Sequence, residues 1–289
     1  MRRQYFLFEQ AKTEDLALSL DMQELNGYVA VHTHDCTELV IILAGKAVHM
    51  INDEEYDLKA GDVFVVNLGS RHGYKAACSL KLANIMFDYN RLVENENELR
   101  HMTGFQSLFI LEPYFRKQHK FESKLQLNPA SLNFVKDFLS IVENEYQNRA
   151  NGFKPVVRTY FLTLVAYLSR QYTAGKSKAS GRLFQVADAV AFMENNFQSQ
   201  VAISTVASIA YLSTRQFTRI FKASYKVSPK EYIITLRLEY ACRLLQDKTM
   251  KLGPIAMECG FSDISFFSRQ FKARFGITPS EYREGSNSL

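Results

Sequence analysis

The chain has 289 residues, 47% hydrophobic and 22% charged, with a net charge of +5 from 35 Lys and Arg against 30 Asp and Glu. This is the composition of a globular chain of one large or two ordinary domains, which excludes a disordered or fibrous protein. No apolar run reaches the roughly eighteen residues that a membrane-spanning helix needs.

At the N-terminus, MRRQYFLFEQ carries two arginines and a few aromatics, but Glu9 and Lys12 interrupt it too early for a secretory signal. Cys36, Cys78, Cys242 and Cys259 show no CxxC spacing and read as reduced thiols. Both features point to the cytoplasm. From residue 29 to about 87, β-type runs at 39–43, 48–51, 63–66 and 80–87 are separated by Gly45, Asn52-Asp53, Gly61 and Gly69. Short strands at that spacing predict a small barrel or sandwich.

His32-Thr-His34, Glu38 and Gly45 lie in this part, followed by the stretch from Gly61 through Asn67 and Gly69 to His72. Three neutral imidazoles and a carboxylate converging inside a barrel offer ligands for Zn, Ni, Mn or Fe. The two stretches resemble both halves of the cupin motif. Asn67 stands where that motif usually has proline, and Ala76 where it often ends in asparagine. The resemblance implies a cupin β-barrel with His32, His34, Glu38 and His72 at the positions that hold a metal in cupin enzymes.

Two amphipathic helices are expected over 131–146 and 155–172, the first with an apolar stripe of Leu132, Val135, Phe138, Leu139, Val142 and Tyr146. That stripe is wide enough to pack on the barrel and leave an edge for a second copy of the chain. Small and polar residues then take over in YTAGKSKASGR, which places a boundary there. The expected organisation is a domain over 1–172, a linker over 173–182 and a second domain over 183–289.

The last third repeats itself: 206–232 reappear as 255–282 once a one-residue insertion near Ser262 and Asp263 is allowed. Each copy reads as a short helix, a tight turn and a second helix. In the second copy Pro254 suits the first helical position, Gly260 a left-handed stop, and Ser262 or Asp263 a cap. Phe266, Phe267, Phe271 and Phe275 recur at helical spacing, with Ser265, Ser268, Arg269 and Lys272 on the other face. In the first copy Ser213 caps, Phe217, Ile220 and Phe221 are the buried stripe, and Thr214, Arg215, Thr218, Arg219 and Lys222 stay exposed. This is a helix-turn-helix pattern, whose second helix can enter the major groove of DNA. Charge agrees: from Leu183 onward there are 13 Lys and Arg against 9 Asp and Glu, and Lys176, Lys178 and Arg182 precede them, so the C-terminal part carries +7 and residues 1–172 carry −2.

The paired units, with GFSDISFFSRQFKARFGITPSEYR in the second, resemble the DNA-binding domain of AraC/XylS-type bacterial transcription regulators over roughly 184–283. The resemblance implies a supporting first helix lined by Val186, Val190, Met193 and Phe197, and a long helix over 233–246 joining the two units. Thr214, Arg215, Thr218, Arg219, Lys222, Ile264, Ser265, Ser268, Arg269 and Lys272 then face DNA, with the two lysines placed for phosphates and Ile264 for a thymine methyl or for packing. The fold class implied is α+β, a cupin β-barrel with two dimerisation helices followed by an all-α domain.

In this family such barrels commonly keep their histidines without a metal and hold a small effector. On that ground His32, His34, Glu38, His72 and Tyr74 are expected to bind a sugar-like molecule through hydroxyl groups, with no cofactor. The 112–170 region is similar to regulators of L-rhamnose catabolism, the subgroup the chain most resembles. A homodimer on an operator, activating carbohydrate-utilisation genes through RNA polymerase, is what this implies. The N-terminal arm, 1–10, could fold over the bound effector. The alternative is a metal-dependent cupin enzyme with an appended DNA-binding tail, its divalent transition metal on His32, His34, Glu38 and His72.

Overall fold

The computed structural model describes residues 5–6, 16–52, 54–93, 96–116, 124–175 and 181–285, so most of the 1–10 arm and the middle of the 173–182 segment lie outside the described residues. The chain divides into two compact units, Met1–Ala187 and Asp188–Leu289.

The first unit is built on strands β1 (Tyr5–Phe6), β2 (Leu18–His34), β3 (Thr37–Ile51), β4 (Glu54–Lys59), β5 (Asp62–Val66), β6 (His72–Phe87) and β7 (Leu125–Gln126), in the order β1-β2-β6-β3-β5-β7 with β4 beside β3. Glu38 pairs with Met86 near the end of β6, while His72 begins that strand. A straight strand would hold those two positions of β6 roughly 46 Å apart. Glu38 Oε2 nevertheless lies 3.2 Å from His72 Nε2, so the sheet curls over itself into the expected barrel-like form. Its interior is filled by Val40, Ile42, Phe64, Val66, Leu80 and Leu82, all nearly or fully buried.

Runs 39–43 and 48–51 were expected as separate strands with Gly45 between them. They are one strand: Gly45, at φ +75°, sits at an irregularity inside β3 where the ladder to β6 shifts register. A Cβ there would fall 2.2 Å from the Ser79 carbonyl oxygen, so close approach of two backbones, not a turn, demands glycine.

After β6 come short helical pieces, then a π-helical segment Gln106–Leu111 that runs into Glu112–Phe115. Helices α1 (Pro129–Asn148) and α2 (Phe153–Ala174) follow, as predicted. Asn128 caps α1 by accepting from the Ser131 amide, and Arg149, in a left-handed conformation, ends it. Leu132, Val135, Leu139 and Val142 are all buried inside the unit; Phe138 and Tyr146 are half-buried. The exposed apolar residues of α1 are others, Phe134 and Ile141, on the flank away from that stripe.

Helix α3 (Gly181–Asn196) contains the division at residue 187. The second unit continues with α4 (Ile203–Ile209), α5 (Thr214–Tyr225), α6 (Pro229–Leu244), α7 (Leu252–Glu258), α8 (Ile264–Phe275) and α9 (Pro279–Gly285). The repeat is visible in the hydrogen bonds. Tyr211 N donates to Ser208 O and Leu212 N to Ala207 O, and forty-nine residues on Gly260 N donates to Met257 O and Phe261 N to Ala256 O. From the next helix the offset is fifty, since α5 and α8 have twelve residues each and begin at 214 and 264. The insertion therefore falls at Ser262 and Asp263, with Asp263 as the cap. Pro254 is the third residue of α7, not the first, because Lys251 is its cap. The joining helix α6 starts four residues earlier than the resemblance implied, at Pro229, where Ser228 and Glu231 form a capping box.

Candidate functional site

In the second unit the buried faces of α5 and α8 are made by Phe217, Ile220 and Phe221 and by Phe267 and Phe271. Spacing of three and four then puts the proposed DNA-facing residues on the remaining arc. Thr214, Arg215, Arg219, Lys222, Ile264, Ser265, Arg269 and Lys272 are exposed, and Thr218 and Ser268 are half-buried. Capping fixes both entry angles. Ser213 and Gln216 form a reciprocal box at α5, while the Asp263 carboxylate accepts from the Ser265 and Phe266 amides at 2.9 and 3.0 Å at α8.

In the first unit the curl of the sheet gathers the histidine motif. His32 and His72 pair across β2 and β6, and the rings of His32, His34 and His72 lie 4.5 to 5.0 Å apart, centroid to centroid. Glu38, 1% exposed, sets Oε2 at 3.2 Å from His72 Nε2 and 3.7 Å from His34 Nε2. Tyr74 is buried beside them, 6.4 Å from the His72 ring. All five expected residues are therefore in one place. A sixth was missed: His49, fully buried, holds Nε2 3.5 Å from His72 Nδ1 and stacks on Tyr74 at 5.2 Å. Its one sequence signal is parity, since Ala47, His49 and Ile51 alternate as inward positions of β3.

Burial sets the charge of this cluster. It pushes the Glu38 carboxyl up to about 8, against a smaller downward pull from its hydrogen bond with Asn84. It holds His72 and His49 well below the ordinary imidazole range, helped by the charges of neighbouring histidines and of Arg116. Tyr74 is pushed well above its ordinary value, first by burial and then by Glu38. Near pH 7 Glu38, His49, His72 and Tyr74 are thus neutral donors and acceptors, and the contact between Glu38 and His72 is that of an acid and a neutral imidazole. His32, His34 and His72 offer ring nitrogens that all lie within 4.8 Å of one another. That donor set suits a transition metal, and Glu38 would have to release its proton to join it.

Comparison with known proteins agrees with both halves. Residues 16–140 match the AraC-like ligand binding domain and residues 206–285 a helix-turn-helix domain. The HTH-type transcriptional activator RhaR of Salmonella dublin is 27% identical over 259 residues, 89% of this chain and 88% of that protein. A transcriptional regulator from Chromobacterium violaceum, with an AraC-type DNA-binding domain, is 32% identical over 38% of this chain and 97% of its own, with a TM-score of 0.35. The DNA-binding domain of the global transcriptional factor AdpA, solved with a target DNA, is 29% identical over 36% of this chain and 94% of its own, with a TM-score of 0.35. A ligand-binding barrel joined to two helix-turn-helix units defines a DNA-binding transcription regulator, not an enzyme. The chain belongs to the AraC family of these regulators.

Proposed function

We propose that the chain activates carbohydrate-utilisation genes in the cytoplasm when a small sugar-like effector binds His32, His34, Glu38, His72 and Tyr74. The observation that carries this reading is the gathering of the five side chains in one place, with Glu38, His72 and Tyr74 buried and held uncharged there. Uncharged imidazole, carboxylic acid and phenol groups can each exchange hydrogen bonds with a hydroxyl without the cost of burying an ion. The name of the Salmonella relative, a transcriptional activator, supports the sign of regulation and with it contact with RNA polymerase. The backbone of β1 runs parallel beside the end of β2, Tyr5 opposite Thr33 and Phe6 opposite His34, which suits an N-terminal arm that closes over the cluster.

The active form is a homodimer through α1 and α2. Phe134 and Ile141 on α1 and Val156 on α2 remain exposed, and Phe134 and Phe138 extend the patch to Tyr167 and Tyr160, with ring centroids 4.6 and 5.7 Å apart. Pairing of two copies would bring four recognition helices to repeated half-sites, each pair spanning successive major grooves about 34 Å apart. On α5 and α8, Arg215, Thr218, Arg219, Ser265, Ser268 and Arg269 read base edges, with Thr214 and Ile264 at the helix starts and Lys222 and Lys272 on phosphates.

The test is a thermal-shift screen of monosaccharides, then titration of operator DNA with and without the best hit. Raised operator affinity or altered half-site spacing with the sugar is expected. A confirmed ligand that leaves operator affinity, spacing preference and transcription unchanged would remove the barrel as the switch.

A further inference from the structure

Next to the polar cluster lies a charged one that effector binding as proposed does not use. The His49 ring, in reach of His72, packs on Phe64 with centroids 4.7 Å apart, and the Arg116 guanidinium stands 5.9 Å from the centroid of the same Phe64 ring. Arg116 and Glu112 are 5% and 0% exposed. The pair is bidentate: Arg116 Nε donates to Glu112 Oε1 at 3.1 Å and Nη2 to Oε2 at 2.5 Å, while Nη2 also donates to the Val65 carbonyl of β5. A buried ion pair is weak evidence for stability, because apolar side chains of similar volume commonly do as well. Its presence beside the cluster asks for another account.

The location supplies one. Glu112 follows directly on the six-residue π-helical segment Gln106–Leu111. Such segments are rare, cluster at functional sites, and differ from an α-helix by one residue of register. A slip of that size would turn the following residues by about 100° about the helix axis and move Glu112 and Arg116 together. The helical turn that leads into this segment, Thr103–Phe105, lies tight against α2, since a Cβ on Gly104 would lie 1.9 Å from the Ser169 carbonyl oxygen. One turn further along α2 is Tyr172, 4% exposed, whose ring packs on Phe184 of α3 at 5.4 Å. Its hydroxyl feels the Glu112 carboxylate and, in the opposite sense, Arg116, beneath a larger effect of burial that raises it well above the ordinary tyrosine range. Helix α3 begins in the first unit and continues past residue 187 into the second.

We propose that the Glu112–Arg116 pair carries the state of the polar cluster to α3, acting on His49 through Phe64 and on Phe184 through Tyr172. Arg116 and Glu112 are positioning residues in this scheme: neither is assigned a contact with effector or DNA. The two-state element is the π-helical segment they follow, which meets the requirement that a coupling route have something to switch. The trigger rests on the effector reading above; the route itself does not.

The experiment is a double-mutant cycle in the full-length protein, His49→Gln with Tyr172→Phe, read by affinity for a duplex enriched by that protein from a random library. His49 lies on β3 and Tyr172 on α2, and independent distant sites combine to within about twofold. The expected result is a departure from the product of the single effects by more than twofold, with Phe184→Leu replacing Tyr172→Phe if the latter fails to fold. A product obeyed within twofold for both pairs overturns the proposal. Hydrogen exchange of the 183–187 amides in Arg116→Lys separates coupling from mere support. Faster exchange there is expected, and a lower melting temperature with unchanged exchange at those amides makes the pair structural only. A screen that finds no sugar would sink the effector reading and leave the cycle interpretable.

Discussion

His72 Nε2 lies 3.2 Å from Glu38 Oε2, both side chains 1% exposed, though one opens β6 and the other pairs near that strand's far end. The pair is a reporter of the fold. Burial raises the Glu38 carboxyl from 4.5 to about 8, so the folded chain binds a proton there that the unfolded chain has lost, and stability falls as pH rises across that window. His49 and His72 are held below 6.5 and act in the opposite sense only below that pH. In metal-stripped protein, urea denaturation should therefore show stability falling between pH 6.5 and 8, by about 2 kcal/mol at a limit of roughly 1.4 kcal/mol per pH unit. Glu38→Gln should abolish most of that decline; an equal decline in the variant would mean the carboxyl is already ionised.

Arg269 and Lys272 are both exposed on α8, three residues apart. Arg269→Ala should cost about 1 to 3 kcal/mol on operator and relax preference at one base, because its fork can bridge guanine O6 and N7. Lys272→Ala should weaken all sequences alike and lower the salt slope by about one. Equal losses on operator and scrambled duplex for Arg269→Ala, measured by fluorescence anisotropy, would take it out of base readout.

For the dimer, Ile141→Glu and Phe134→Glu put charges into the patch left exposed on α1. Light scattering should give a monomer with little change in melting temperature, since exposed positions usually shift stability by less than about 0.5 kcal/mol. Val135→Ala, fully buried, should instead cost about 1 to 3 kcal/mol without dissociating the dimer. Undiminished dimer mass in both glutamate variants would place the interface elsewhere.

What could be read from the chain was whatever is decided locally. Caps at Ser213 and Asp263, phenylalanine spacing in α8 and the duplication itself all lie within a few turns of the residues they organise. His32, His34, Glu38 and His72 were legible as a motif. The neutrality of Glu38 and His72 was not, because their burial comes from a barrel closed by strands far apart in the chain, as where Leu18 pairs with Phe87. Helix α1 shows both sides of this: periodicity put Val135 on the packed stripe, but it did not show that Phe134 and Ile141, off that stripe, would be the apolar residues left facing solvent. Arg116 and Glu112 gave no signal, as their pairing with each other and with β5 depends on tertiary placement.

The two turns of the repeat respond differently to substitution. Gly260 is left-handed at φ +87°, and a Cβ there would lie 2.3 Å from the Gln198 carbonyl oxygen and 3.0 Å from Arg237 Nε. Tyr211, its counterpart, is also left-handed at φ 54° but 80% exposed. Gly260→Ala should cost more than about 2 kcal/mol, the sum of a left-handed alanine and a backbone clash. Tyr211→Gly should stay within about 1 kcal/mol of the parent. Thermal denaturation decides, and a Gly260→Ala variant as stable as the parent would mean that the loop at Gln198, just after α3, yields easily.

That asymmetry bears on how a duplicated module ages. Arg237, in the helix between the copies, donates to the Phe197 and Ser199 carbonyls beside Gln198, so the glycine turn of the second copy is wedged against a braced loop. The first turn can drift, accept a bulky side chain and be grafted from a relative; the second is tied to its neighbours and must be inherited together with residues 197–199 and 237.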